Sequence, residues 1–143
     1  SALTSDQGWD TLKESSFLTE ITARLKEQGI RVSIFLDASP RMVEGAASIG
    51  ADRVEFYTGP FAAQYRTDPR AAIAGHIAAA QEASQLNVGV NAGHDLNLDN
   101  LRFYASMIPN LLEVSIGHAL VCDALYYGLS NVIGMYQHQL RSI

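Results

Sequence analysis

Four short stretches of this chain, residues 31–36, 53–57, 88–92 and 112–116, alternate apolar residues with polar or small ones, and each leads into a segment with helical spacing. Four strand-then-helix units in a row require a parallel sheet with right-handed crossovers. The alternation narrows the choice further. One parity holds Val32, Ile34, Leu36, Val54, Phe56, Val88, Val90, Ala92, Leu112, Val114 and Ile116, all apolar. The other holds Arg31, Ser33, Asp37, Glu55, Gly89, Asn91, Gly93, Glu113, Ser115 and Gly117. An open doubly wound sheet carries helices on both faces and reads apolar on both. A sheet that is polar or glycine-rich on one side throughout fits a (β/α)8 barrel, whose outer face packs on helices while its lumen holds a polar site. Eight such units take about 250 residues, and this chain has 143. Four units are therefore half of a larger protein, a small open α/β domain, or one of two copies that come together.

The connecting segments support this reading. Phe17, Leu18, Ile21 and Leu25 recur at helical spacing within residues 12–28, and Gly29 closes that helix. Pro40 stands near the first turn of a short helix over 40–49 that stops at Gly50, and the Ala-rich stretch 69–86 predicts the strongest helix. Further helices are predicted over 98–107 and across most of 118–139, with no linker or low-complexity segment, so a single domain is expected.

Composition excludes several classes of function. The net charge of -5 and the absence of a Lys/Arg cluster argue against a nucleic-acid or anionic-membrane partner. A small phosphorylated ligand remains open, since backbone amides at a helix start bind phosphate without net positive charge. No apolar run approaches the length of about 18 residues that a membrane helix needs, and no signal peptide is visible. The single cysteine, Cys122, cannot form an internal disulfide, which suits a reducing cytoplasm, and its apolar neighbours Val121 and Ala124 predict a buried helical thiol.

The polar groups that attract attention stand at strand ends. Residues 88–92 break on Gly93 and present His94, and residues 112–116 end in Gly117-His118, so two Gly-His corners follow two strands. The C-terminal ends of parallel strands are where such folds place chemistry. Histidine exchanges protons near neutral pH, which makes His94 a candidate acid or base; the alternative is a ring that caps the next helix. Glu55 lies on the polar parity, where an unpartnered carboxylate is costly to bury. It is either functional or held in an ion pair with Arg53 or Arg31. Gly117-His118 opens a helix, where free amides and the helix dipole favour an anion, unless the glycine only makes a tight turn. His76 and His138 fall on amphipathic helices and are assigned to surface or helix packing.

The corners Asn91-Ala92-Gly93-His94-Asp95-Leu96 and Ser115-Ile116-Gly117-His118-Ala119-Leu120, together with residues 4–10, 32–37 and 54–59, resemble the pyridoxine 5'-phosphate synthase family in the right order. The likeness covers essentially the whole chain and the second half of that family's (β/α)8 barrel. It implies a transferase-class, ring-closing condensation of 1-deoxy-D-xylulose 5-phosphate with 3-amino-2-oxopropyl phosphate, giving pyridoxine 5'-phosphate, phosphate and water. It implies no metal or other cofactor, and a dimer-based homo-oligomer of up to eight subunits. By the same resemblance His94 is a proton donor and Glu55 stabilises transition-state charge. Thr4 contacts the deoxyxylulose phosphate, and Gly117 and His118 cradle a phosphate through their amides. Some relatives carry glycine at the position of Asp95, so that residue is expected to offer its amide to a substrate and turn its side chain away.

The family's first strands supply an asparagine, an Asp-His pair, a catalytic histidine with a nearby arginine, and a glutamate base, none of which has a counterpart here. Two other readings therefore stand beside the synthase. One is a different phosphate-binding barrel enzyme, such as an isomerase, and the other is a non-catalytic half-barrel whose exposed strand edges need a partner.

Overall fold

A computed structural model describes residues 7–141. In chain order the elements are α1 (Ser15–Glu27), β1 (Ser33–Asp37), α2 (Pro40–Ser48), β2 (Arg53–Tyr57), α3 (Gly59–Tyr65), α4 (Pro69–Gln85), β3 (Gly89–Ala92), α5 (Leu101–Met107), β4 (Leu111–Val114), α6 (His118–Tyr127) and α7 (Leu129–Arg141). The strands form one sheet in the order β1-β2-β3-β4, parallel at every pairing. Sequential order with helical crossovers is the succession found in a barrel wall, and this chain forms about half of one.

Local chemistry explains most of the boundaries. Asp68 caps α4 by accepting from the amides of Arg70 (3.1 Å) and Ala71 (3.0 Å), and Pro69 fills its first turn, where no amide partner is needed. Helices α1 and α2 end on Gly29 and Gly50 with φ of 72° and 80°, and Asn87 and Asn110 adopt the same left-handed conformation ahead of β3 and β4. Each helix-to-strand turn thus uses a residue tolerant of positive φ. The helix α3 was not expected: Thr58-Gly59-Pro60 reads as a turn, yet Pro60 occupies a first turn and Phe61 is pulled wholly into the core. Helices α1 and α5 start about one turn later than the apolar spacing predicts.

The apolar parity forms the core. Val32, Ile34, Leu36, Val54, Phe56, Val90 and Ala92 are buried against Val43 and Ala46 of α2 and Ile73, Ala79, Ala80 and Ala83 of α4. The run of alanines lets α4 lie close to the sheet. Leu112 departs from its expected place. A register shift between Val90 and Asn91 pairs Leu111 with Val90 and Glu113 with Asn91, so Leu112 is the extra residue of a bulge. It swings to the polar face beside Gly89 and is 57% exposed, while Leu111 takes the core side. Cys122 also differs from expectation, since it is exposed. Helix α6 buries none of its residues, and its own Val121, Leu125 and Tyr126 stand in the open.

His76 of α4 packs as expected, and it does so deep in the core. Its Nδ1 lies 2.9 Å from the Tyr104 hydroxyl of α5, under Phe56 and Phe61. Burial lowers the His76 pKa from 6.5 to about 4. The unfolded chain protonates first as pH falls, so stability is complete above about 6.5 and is lost toward about 4, by roughly 3 kcal/mol in all. Urea midpoints at neutral pH and about pH 5 are expected to differ in the wild type and to converge in a His76→Gln variant.

Candidate functional site

The polar parity makes layers across the sheet. Phe35, Glu55, Asn91 and Glu113 stand in one row, by the pairings Phe35 to Glu55, Glu55 to Asn91 and Asn91 to Glu113. Above it, toward the C-terminal strand ends, come Asp37, Tyr57 and the corner at Gly93. A cavity of about 740 Å³ opens there, lined among others by Glu55, His94, Asp95, Ser115, Gly117 and His118. The structure therefore brings together five of the six residues singled out in the sequence. Thr4, the sixth, lies outside the described residues.

The corner after β3 is built by close backbone approach. The Ser115 amide donates to the Ala92 carbonyl (2.8 Å), and the buried Thr58 hydroxyl donates to the Gly93 carbonyl (3.0 Å). A side chain on Gly93 would collide with the Ser115 carbonyl oxygen and come within 3.2 Å of a Glu55 carboxylate oxygen, so only glycine lets the two strand ends meet here. His94 follows with its ring exposed to the cavity, beside Phe35 (5.8 Å between centroids) and edge-on to Tyr57 (6.0 Å).

His94 does not cap the next helix. The turn leading to α5 is made by asparagines: Asn100 Oδ1 accepts from the Asn97 amide (2.9 Å), and Asn97 Oδ1 accepts from the Asp99 amide (2.9 Å). The Asp95 side chain is exposed, and its carbonyl accepts from Asn100 Nδ2 at 3.3 Å. The Asn-x-x-Asn spacing was the available signal for this turn.

Glu55 is half-buried, and neither arginine reaches it. Arg53 Nη1 donates instead to Glu113 Oε2 (2.9 Å) and Asn91 Oδ1 (3.1 Å), and Arg31 lies 3.8 Å from the same Glu113 oxygen. Among the described residues no hydrogen bond or ion pair engages the Glu55 carboxylate. Burial raises its pKa, with a smaller push from Glu113, and His94 opposes the rise.

Gly117 caps α6 with φ of -106°, a conformation open to any residue, and a Cβ there would meet no described atom within 4 Å. No turn geometry requires glycine. What an added side chain would fill is the open space before the α6 amides, at the end of the helix that favours an anion. No cluster of three His, Cys, Asp or Glu residues among the described residues is placed to hold a metal ion, and none of the described helices is long and apolar enough to cross a membrane.

Comparison with known proteins identifies the family. The family model described as pyridoxal phosphate biosynthesis protein PdxJ matches residues 1–142. Proteins named pyridoxine 5'-phosphate synthase are similar along nearly the whole chain. The one from Cytophaga hutchinsonii is 56% identical over 140 residues, covering 98% of this chain and 59% of its own length. Those from Flavobacterium johnsoniae and Bacteroides thetaiotaomicron are 49% and 50% identical, with 59% and 60% of their lengths covered. The chain thus spans about six tenths of these curated relatives. With the half-barrel sheet, the two Gly-His corners in one cavity and a family match from end to end, this chain belongs to the PdxJ family of pyridoxal phosphate biosynthesis proteins.

Proposed function

We propose that this chain carries the second half of the active site of a pyridoxine 5'-phosphate synthase. The reaction condenses 1-deoxy-D-xylulose 5-phosphate with 3-amino-2-oxopropyl phosphate and releases phosphate and water. The observation that carries the reading is the half-buried Glu55 carboxylate, unengaged by either arginine, in one cavity with His94 and the amino end of α6. Joining an amine to a ketone passes through a cationic iminium when the carbinolamine hydroxyl leaves as water. A carboxylate fixed in a site of low dielectric stabilises that cation by charge, without reorganising. His94, at the cavity mouth, is the group that protonates the departing oxygen, because imidazole gains and loses a proton near neutral pH.

A substrate phosphate is assigned to Gly117-His118, because the first turn of α6 lines the cavity and the free amides of a helix start favour an anion; His118 contributes its amide rather than its ring. The Asp95 amide serves the other substrate, and Thr4 contacts the deoxyxylulose phosphate. No cofactor takes part. The groups of the family's earlier strands are not among these 143 residues, so turnover is assigned to a protein that also carries them, in a cytoplasmic, dimer-based homo-oligomer. Product formation from the two named substrates by such a protein tests the reading. Turnover of a single sugar phosphate instead would favour an isomerase.

Gly117→Val tests the phosphate assignment. A Cβ there meets no described atom within 4 Å, so the unfolding free energy is expected to stay within about 0.5 kcal/mol of wild type. Phosphate binding, followed by NMR titration with inorganic phosphate, should weaken by roughly tenfold or more. Equal binding by both forms would remove the assignment.

A further inference from the structure

Arg53 and Glu55 stand two residues apart on the same face of β2, close enough for a long guanidinium stem to fold back onto the carboxylate. It does not. The Arg53 side chain, 19% exposed, instead runs across β3 to Glu113 on β4. It can do so because β3 presents Gly89 at the crossing point, where a Cβ would lie 2.9 Å from Arg53 Cγ. Asn91 completes the clasp from the row above with a 3.1 Å bond. Glu113 is the acceptor that keeps the guanidinium outstretched, and it is half-exposed, so its own packing explains little of its presence.

We propose that Glu113, Asn91 and Gly89 hold Arg53 away from Glu55, making Arg53 and Glu113 positioning residues whose pairing leaves the Glu55 carboxylate open to a cationic intermediate. The inference rests on the role assigned to Glu55 above and names what preserves it. A guanidinium bound to Glu55 would neutralise the charge that the cation needs, and would fill the cavity floor. The charged groups acting on Glu55 are His94 from the corner after β3 and Glu113 from β4; Arg53 of its own strand is turned to Glu113, and β1 offers Phe35 in the same row and Asp37 beyond it.

The test removes the acceptor and asks where the arginine goes. In Glu113→Ala, Arg53 is expected to turn to Glu55, visible in a crystal structure as a new Arg53–Glu55 ion pair. In solution, carbon-detected NMR titration of Glu55 should show its midpoint fall by about one pH unit or more, the usual effect of an adjacent arginine. Losing Glu113 also removes a repulsion, so Glu113→Ala/Arg53→Met is the control. Methionine keeps the apolar stem over Gly89 without the charge, and the midpoint should recover most of the fall. Equal midpoints in the single and double variants, or an Arg53 that stays on Asn91 in the crystal, would overturn the proposal. Both readouts are independent of turnover. A recruited arginine alongside undiminished synthase activity would refute the role of Glu55 and not the clasp.

Discussion

Replacing Glu55 by glutamine is expected to lower kcat by roughly 100-fold or more in a protein carrying the complete barrel, the cost of removing one preorganised electrostatic group from a site that develops charge. The amide keeps the shape and polarity of the carboxylate, so what is lost is the negative charge facing the cation. KM is expected to change much less, because the charge acts on the intermediate and not on the ground-state ketone. The fold should not suffer. Burial raises the pKa of the Glu55 carboxyl, so the folded state holds this proton more tightly than the unfolded chain and loses stability as pH rises through the carboxyl's titration. Glutamine removes that penalty, and the variant should be at least as stable as wild type at neutral pH. Full turnover in Glu55→Gln, measured beside an unchanged urea midpoint, would eliminate the charge-stabilising role.

The second large effect is expected at Gly93. In Gly93→Ala the new methyl meets the Ser115 carbonyl, a backbone atom that can retreat only if the ends of β3 and β4 separate. That separation strains the Ser115–Ala92 bond of 2.8 Å and the buried Thr58–Gly93 bond of 3.0 Å. The expected cost is about 3 kcal/mol, read as a drop in urea midpoint at constant slope. Since His94 is the next residue, the same displacement moves its ring, and kcat should fall even where the variant remains folded. An unchanged midpoint would mean that the corner is looser than its contacts indicate.

Much of the fold was legible before any coordinates. The strand Arg53–Tyr57 and the helices from Pro40 and Pro69 appear within a residue or two of where alternation, apolar spacing, proline and glycine place them. The polar parity identified the face that carries the cavity, and the two Gly-His corners pointed to the strand ends that line it. Other features left little local trace. Phe35 and Tyr57 read as ordinary strand aromatics, and only the pairing of β1 with β2 and the turn after Gly93 set them against the His94 ring. The apolar neighbours of Cys122 predicted burial, but α6 lies against little more than α7 and leaves the thiol exposed.

By itself the sequence determined the parallel units, the parity of their faces and the residue types at each corner, because alternation, helical spacing and the demands of proline and glycine act between near neighbours along the chain. Tertiary structure alone decided which partners those residues take. The bulge that turns Leu112 onto the polar face exists only in the pairing of β3 with β4, and Arg53 chooses Glu113 over the nearer Glu55 because Gly89, 36 positions along the chain, opens a path across β3. Such choices are made between strands, where distance in space and distance in sequence no longer correspond.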